Sequence, residues 1–230
     1  TEDLDARTPR DWRPTPPVPV GTYLGVDRWY FRDSNWSPDF PMSMEKALEL
    51  YTAEGGAYAE DIDTVIAITP TVLERVLAVT GPITLQGLTF TSSTATEVLE
   101  YDVEYGFARR GIPWKERKQI IAPLMREVGA RISHSLLENM SAYRSMAKTL
   151  LTERHILIYS RDQALQTVLD HHAWSGRMAT STGDYLLWTD ANLAALKTDQ
   201  AITRSLAYRI EKNVSGGRTA TAEMTYRHSG

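Results

Sequence analysis

Apolar positions recur along this chain with two different periods, and the switches between them outline its elements. Ile120, Leu124, Val128, Ile132 and Leu136 repeat every fourth residue, one face of a long helix that begins near Lys115; Pro123 either kinks it or marks its real start. "DTVIAIT" (63–69) and "HILIYS" (155–160) are near-continuous runs rich in β-branched residues, the pattern of strands buried on both faces. Pro70 suits the first turn of a helix "TVLERVLAVTG", and "PITLQGLTFT" (82–91) predicts a short hairpin turning near Gly87. Ser43 is placed to cap "MEKALELYTAEGG", a helix stopped by Gly55 and Gly56. Further helices are predicted over 94–108, 141–153 and "RDQALQTVLDHHAW" (161–174), and further strands over "RWYFRD" (28–33) and "DYLLWTD" (184–190). Two alternating segments, 201–212 and 218–228, flank "NVSGG" as a β-hairpin with Gly216 and Gly217 in its turn.

Strands alternating with helices, closed by an antiparallel hairpin, predict an α/β domain: three layers, α/β/α, around a mixed sheet, with the hairpin at its C-terminal end. That single domain is expected over residues 21–230. Residues 1–20 hold five of the eleven prolines and few aliphatics, which predicts an extended proline-rich arm.

Composition changes this picture by exclusion. A chain of 230 residues buries about 70% of its unfolded surface, enough for a real core. No apolar run reaches the roughly 20 residues of a membrane span, and nothing resembles a signal peptide. The net charge of −4 supplies no basic field, so nucleic acid is not an expected partner. The absence of cysteine removes disulfides, thiol nucleophiles and cysteine-bound zinc, and it fits an exported protein as well as a cytosolic one without cysteine. The chain opens without Met and closes on the strand-like "TAEMTYRHSG", and so reads as a fragment of a longer protein.

The densest polar constellation is "WYFRDSNWSPDFPMS" (29–43). Asp33 and Asp39, with the Asn35 amide oxygen, form a donor set for a hard cation such as Mg²⁺, and Arg32 can take a phosphate oxygen bidentately. The same residues are also ordinary turn formers: Asp39 before Phe-Pro suits an Asx turn and Arg32 suits a local ion pair. A second group, Asn192, Lys197, Asp199 and Arg204, bunches between two predicted strands. There Lys197 and Arg204 would bind anions supported by Asp199, or brace a loop. A third, "ARRGIPWKERKQI" (108–120), gathers Arg109, Arg110, Lys115, Arg117 and Lys118 before the long helix. Cations there oppose the helix dipole, so a local anion would relieve them. No G-x-S-x-G, P-loop or G-x-G-x-x-G motif occurs.

"FRDSNWSPDFPMS", "DTVIAITPTVLERVLAVTGPI", "HILIYS", "HAWSGRM", "DYLLWTDAN" and "LKTDQAITRSLAYRIE" follow one another in the order of the bacterial domain-of-unknown-function family 4012 (DUF4012), which the chain resembles from about residue 11 to its C-terminus. The resemblance implies an extracytoplasmic protein of the bacterial envelope, tethered by a membrane helix upstream. The family's N-terminal strands have no counterpart here, which implies a protein partner or second chain completing the sheet, or self-association. A fainter likeness is to the LytR–CpsA–Psr envelope phosphotransferases, which transfer glycopolymer from polyprenyl diphosphate. Phe31-Arg32-Asp33 stands where that family has Pro-Arg-Asp, and Arg117 and Gln119 match its Arg-x-x-Arg-Gln helix.

Two functions follow as expectations. In the first, the chain is a non-catalytic envelope module for structure, assembly or glycopolymer binding, to which six Trp and eleven Tyr suit carbohydrate and protein contacts. In the second it is a phosphotransferase on a polyprenyl-diphosphate-linked glycopolymer. Arg32 and Asp33 would then be catalytic, Asp33 and Asp39 would hold Mg²⁺, and Arg117, Gln119, Asn192, Lys197, Asp199 and Arg204 would bind the anionic substrate. Whether the chain is an enzyme at all stays open at this point. A shared polar crevice joining Arg32 and Asp33 to Arg117 or Lys197 is expected if it is.

Overall fold

Proline and glycine cut the chain into short elements. The structure, a computed structural model, describes residues 4, 8–193 and 198–229. In chain order the elements are α1 (Val18–Leu24), α2 (Phe40–Ala53), β1 (Thr64–Ile68), α3 (Pro70–Thr80), β2 (Ile83–Leu85), β3 (Leu88–Phe90), α4 (Ala95–Tyr101), α5 (Phe107–Arg109), α6 (Ile121–Ser135), α7 (Met140–Thr152), β4 (Ile156–Ser160), α8 (Gln163–His171), β5 (Ile202–Lys212) and β6 (Arg218–His228).

The expected mixture of helices and strands is present, but the strands do not assemble as predicted. The described residues form three separate two-stranded antiparallel sheets, β1–β4, β2–β3 and β5–β6, and no mixed sheet. β1 is covered on one face, which it shares with β4. There Val65, Ala67, Leu157 and Tyr159 pack on Phe40, Met44 and Leu48 of α2. On the other face Ile66 and Ile68 stay 61% and 51% exposed, so β1 is not the doubly buried strand that its β-branched run predicts. The outer edge of β4 is occupied by the loop after α8: the Ile158 amide donates to the Trp174 carbonyl at 3.0 Å. Gly176 lets that loop close in, because its φ of +63° suits glycine and a Cβ would stand 3.0 Å from Leu157.

The main core lies between α3, the β2–β3 hairpin, α4 and α6. Leu73, Val76 and Leu77 meet Ile83 and Phe90 on one side and the Ile120–Leu124–Val128 stripe on the other. Pro123 falls in the first turn of α6, so it marks the start of the helix. The β2–β3 turn has positive φ at both Gln86 and Gly87, the primed turn that suits a two-residue hairpin. α4 runs through a π-helical turn, Asp102–Gly106, into α5. The buried Asp102 carboxylate pairs there with Arg110, whose guanidinium also donates to Gln86 Oε1 at 3.1 Å.

Two predicted strands are absent, and in the first, other partners took backbone groups that a ladder would have used. In 28–33 the Phe31 amide donates to the buried Glu54 Oε1 at 2.8 Å, and Trp29 Nε1 donates to the Asp33 carbonyl at 2.9 Å. The backbone closes there into a 3₁₀ turn, Phe31–Asp33. The segment 184–190 is irregular and is tied to the C-terminal hairpin by side chains, with Asp184 on Tyr208 and Trp188 on Tyr226. The hairpin itself forms as predicted, in register from Ile202↔His228 to Lys212↔Arg218, with Gly216 at φ +84° in the turn. α2 begins at Phe40 rather than after Ser43, because Asp39 is the cap; the Ser43 hydroxyl instead donates to the Ser37 carbonyl at 2.8 Å. Among the described residues no helix is long and apolar enough to cross a membrane.

Candidate functional site

Two adjoining hollows share Asp190, Ala191, Asn192 and Leu193. The larger, about 640 Å³, lies between the loop after the 3₁₀ turn and residues 189–193, and is lined by Asp33, Asn35, Trp36, Ser37, Thr189 and Asn192, with Val20 and Leu24 of α1 among its apolar residues. The smaller, about 340 Å³, continues toward the hairpin and adds Tyr23, Asp199, Ile202, Arg204 and Tyr226. Together they form one cleft of the size that small ligands occupy.

Each wall is held by its own bonds. On the first wall, Phe31 packs against Tyr51 with ring centroids 5.2 Å apart, and Arg32 lies 4.7 Å over the Tyr30 ring. Asp33 pairs with Arg32, Oδ2 to Nε 3.4 Å, and that oxygen is buried without a hydrogen bond. The second wall is a knot centred on Asp190. Tyr226 donates its hydroxyl to Asp190 Oδ1 at 2.7 Å, Trp188 Nε1 reaches both at 3.1 and 2.8 Å, and Arg204 Nε meets Asp190 Oδ2 at 2.6 Å. The Tyr226 hydrogen bond, with those from Trp188 and Arg204, holds the Asp190 carboxyl below its usual range against the pull of burial. The same bond pushes the Tyr226 phenol up, and the close Asp199 carboxylate raises Arg204.

The structure brings together only part of what the sequence singled out. Asp33 and Asn35 from the first constellation share the cleft with Asn192, Asp199 and Arg204 from the second. Arg32 does not line it. Lys197 lies outside the described residues. Arg117 stands elsewhere, its guanidinium 3.5 Å over the Trp114 ring, and Gln119 is exposed beside it. The Mg²⁺ donor set does not fit. Both Asp39 oxygens accept backbone amides, Oδ1 from Met42 at 3.1 Å and Oδ2 from Met178 at 2.9 Å, making it a helix cap and a tie between distant loops. Among the described residues no group of three His, Asp or Glu side chains is arranged to hold a metal.

Sequence reasoning missed Asp190, Trp36, Tyr23 and Tyr226. Asp190 was hidden at the end of a run read as a strand, and Tyr226 in the alternation of the last one. Tryptophan close to Asn or Asp, in Asn35-Trp36 and Trp188-Thr189-Asp190, was the available signal.

Residues 2–104 match the family model DUF4012, described as a protein of unknown function. Over these residues, a little under half of its length, the chain is similar to the DUF4012 family. The match takes in α1, α2, β1, α3, the β2–β3 hairpin and α4, hence the Asp33 wall of the cleft; the Asp190 wall lies beyond it. No curated protein and no solved structure matches the chain.

Proposed function

We propose that the chain is a non-catalytic, extracytoplasmic module of the bacterial envelope whose cleft binds a segment of glycopolymer. The observation that carries this reading is the chemistry of the lining. Trp36, Tyr23 and Tyr226 supply exposed rings that a sugar ring can stack on, while Asp33, Asn35, Asp190 and Asn192 supply acceptors and amide donors for hydroxyls. The one described cation in the lining, Arg204, is bound by two carboxylates, so the field in the cleft does not favour a diphosphate. The envelope setting and the membrane tether rest on the family resemblance. A phosphotransferase remains the alternative, but Arg117 and Gln119, the helix residues it would draw on, do not line the cleft.

Titration of the chain with envelope oligosaccharides, followed by intrinsic tryptophan fluorescence, tests this. A saturable change is expected, and Trp36→Ala should weaken it by about tenfold, the loss of one stacked ring, with Tm unaltered. Binding of pyrophosphate with Mg²⁺ in place of sugar would hand the cleft to the phosphotransferase reading. If neither binds, the cleft is not a ligand site and the proposal is wrong.

A further inference from the structure

The C-terminal hairpin is amphipathic, and its apolar face is covered only in part. The antiparallel register sets Leu206 opposite Met224, Tyr208 opposite Ala222 and Ile210 opposite Ala220, all on one face. The other face carries Thr203, Ser205, Arg209, Thr221, Glu223 and Thr225. A two-stranded hairpin in water is marginal by itself, and an antiparallel sheet with one polar face is built to bury the other. Here the face meant for burial is open in part. Ile210 is 52% exposed and Met224 41%, although the 184–190 segment already lies against the base of the same face. Tyr185, Leu186 and Leu187 of that segment are exposed as well.

We infer that this face is the interface of a homodimer in which two hairpins pack face to face and run antiparallel. Charge selects both the occupant and the direction. On the apolar face the tip carries Lys212 opposite Arg218, and neither has an acidic partner among the described ion pairs. The base carries Asp190 and Asp199 around a single Arg204, and Asp184, bound to the neutral Tyr208 hydroxyl at the middle of the face, adds a further negative charge on the base side of the tip. The tip is therefore cationic and the base anionic. A second copy running antiparallel lays each tip on the other's base and brings the apolar middles together. A parallel arrangement would set four cations against one another. The face is thus complementary to itself under a twofold axis, the isologous geometry of ordinary homodimers.

Sedimentation equilibrium of the 230-residue chain, over a range of concentration and salt, gives the first test. A species of twice 25.9 kDa is expected, weakening as salt rises. Ile210→Glu with Met224→Glu should raise the dissociation constant by about 100-fold or more, since each places a charge in an apolar contact, while the far-UV CD spectrum is unchanged. A charge exchange makes the direction falsifiable. A chain carrying Lys212→Glu and Arg218→Glu should fail to pair with itself, as should one carrying Asp184→Lys and Asp190→Lys, and mixing the two should restore a heterodimer. Several results would overturn the inference: a wild-type monomer at every concentration, a dimer indifferent to Ile210→Glu and Met224→Glu, or a mixture that stays monomeric. A monomer that floats with phosphatidylglycerol vesicles would assign the face to a lipid surface instead. The base of the hairpin also lines the cleft, so the two readings are separated by measurement: a dimer that binds no sugar overturns the cleft reading alone, and a monomer that binds sugar overturns this inference alone.

Discussion

The core around α3 and α6 and the C-terminal hairpin both start from a clean apolar stripe, yet only the first closes on itself. The α6 stripe meets α3, β2 and β3, and Phe90, Ile83, Ile120 and Leu124 are wholly or almost wholly buried. The hairpin stripe is as regular, but the described side chains hydrogen-bonded to that face come from the irregular segment around Asp184–Asp190, through Tyr208, Tyr226 and Arg204, and from Asp199, through Arg204. Patterning specifies which face is to be buried. It does not say whether the cover comes from the same chain. Where several elements surround a stripe, burial stabilises the monomer; where one hairpin stands alone, the same residues become a surface for something else.

Mutations sharpen that contrast. The largest effect is expected from Phe90→Ala, which removes a fully buried ring from the main core and should cost about 3–5 kcal/mol in urea unfolding. Leu206→Ala, at the start of the open hairpin face, should cost the monomer less than about 1 kcal/mol. Comparable losses at the two sites would mean that the hairpin face is covered within the chain. Next comes Asp102→Ala. It strands Arg110 beside the π-helical turn and should cost about 3 kcal/mol, whereas replacing both partners by apolar residues should recover most of it. A double-mutant cycle measures the difference.

Asp39→Ala should cost about 2 kcal/mol, because one carboxylate both caps α2 and accepts from Met178. Asp39→Asn should keep the acceptor at the cap and lose less. The smallest effect is at the hairpin base and appears with pH. In the folded chain Asp190 is held below its ordinary range, as is Asp170, where burial pushes up but hydrogen bonds from Ser175, Arg177 and Gln166 outweigh it. Both therefore contribute stability that is complete above the ordinary carboxylate range, near pH 4, and lost as pH falls through their lower folded values. Hydrogen exchange along β5 should be flat from about pH 7 to 5, after correction for intrinsic rates, and should accelerate below about pH 4. Asp190→Asn should remove that acceleration at β5 and leave the α3–α6 core untouched. An unchanged profile would mean that the Asp190 knot does not hold the hairpin base.

Local chemistry was legible in the sequence, and long-range partners were not. Pro70 opening α3, the Gln86-Gly87 turn, the four-residue repeat of α6 and the alternation of 202–228 each depend on residues within a turn or two of one another, so periodicity alone determined them. The α/β character follows from the same patterns. What the strands pair with is a different kind of question. "RWYFRD" has every property of a strand except a neighbour: Glu54, 23 positions away, takes the Phe31 amide and the segment turns instead. The β-branched run at 64–68 predicted burial on both faces, but α2 covers one face and Ile66 and Ile68 stay exposed on the other. Asp39 looked equally fit for a cation or a turn until Met178, 139 positions on, donated to its second oxygen. The cleft is assembled the same way, from Asp33 and Asp190, which no spacing rule links. Side-chain type and period are properties of a segment and are written in it. Which backbone or carboxylate arrives from far along the chain is set by how the packed elements close, and only the tertiary structure decides that.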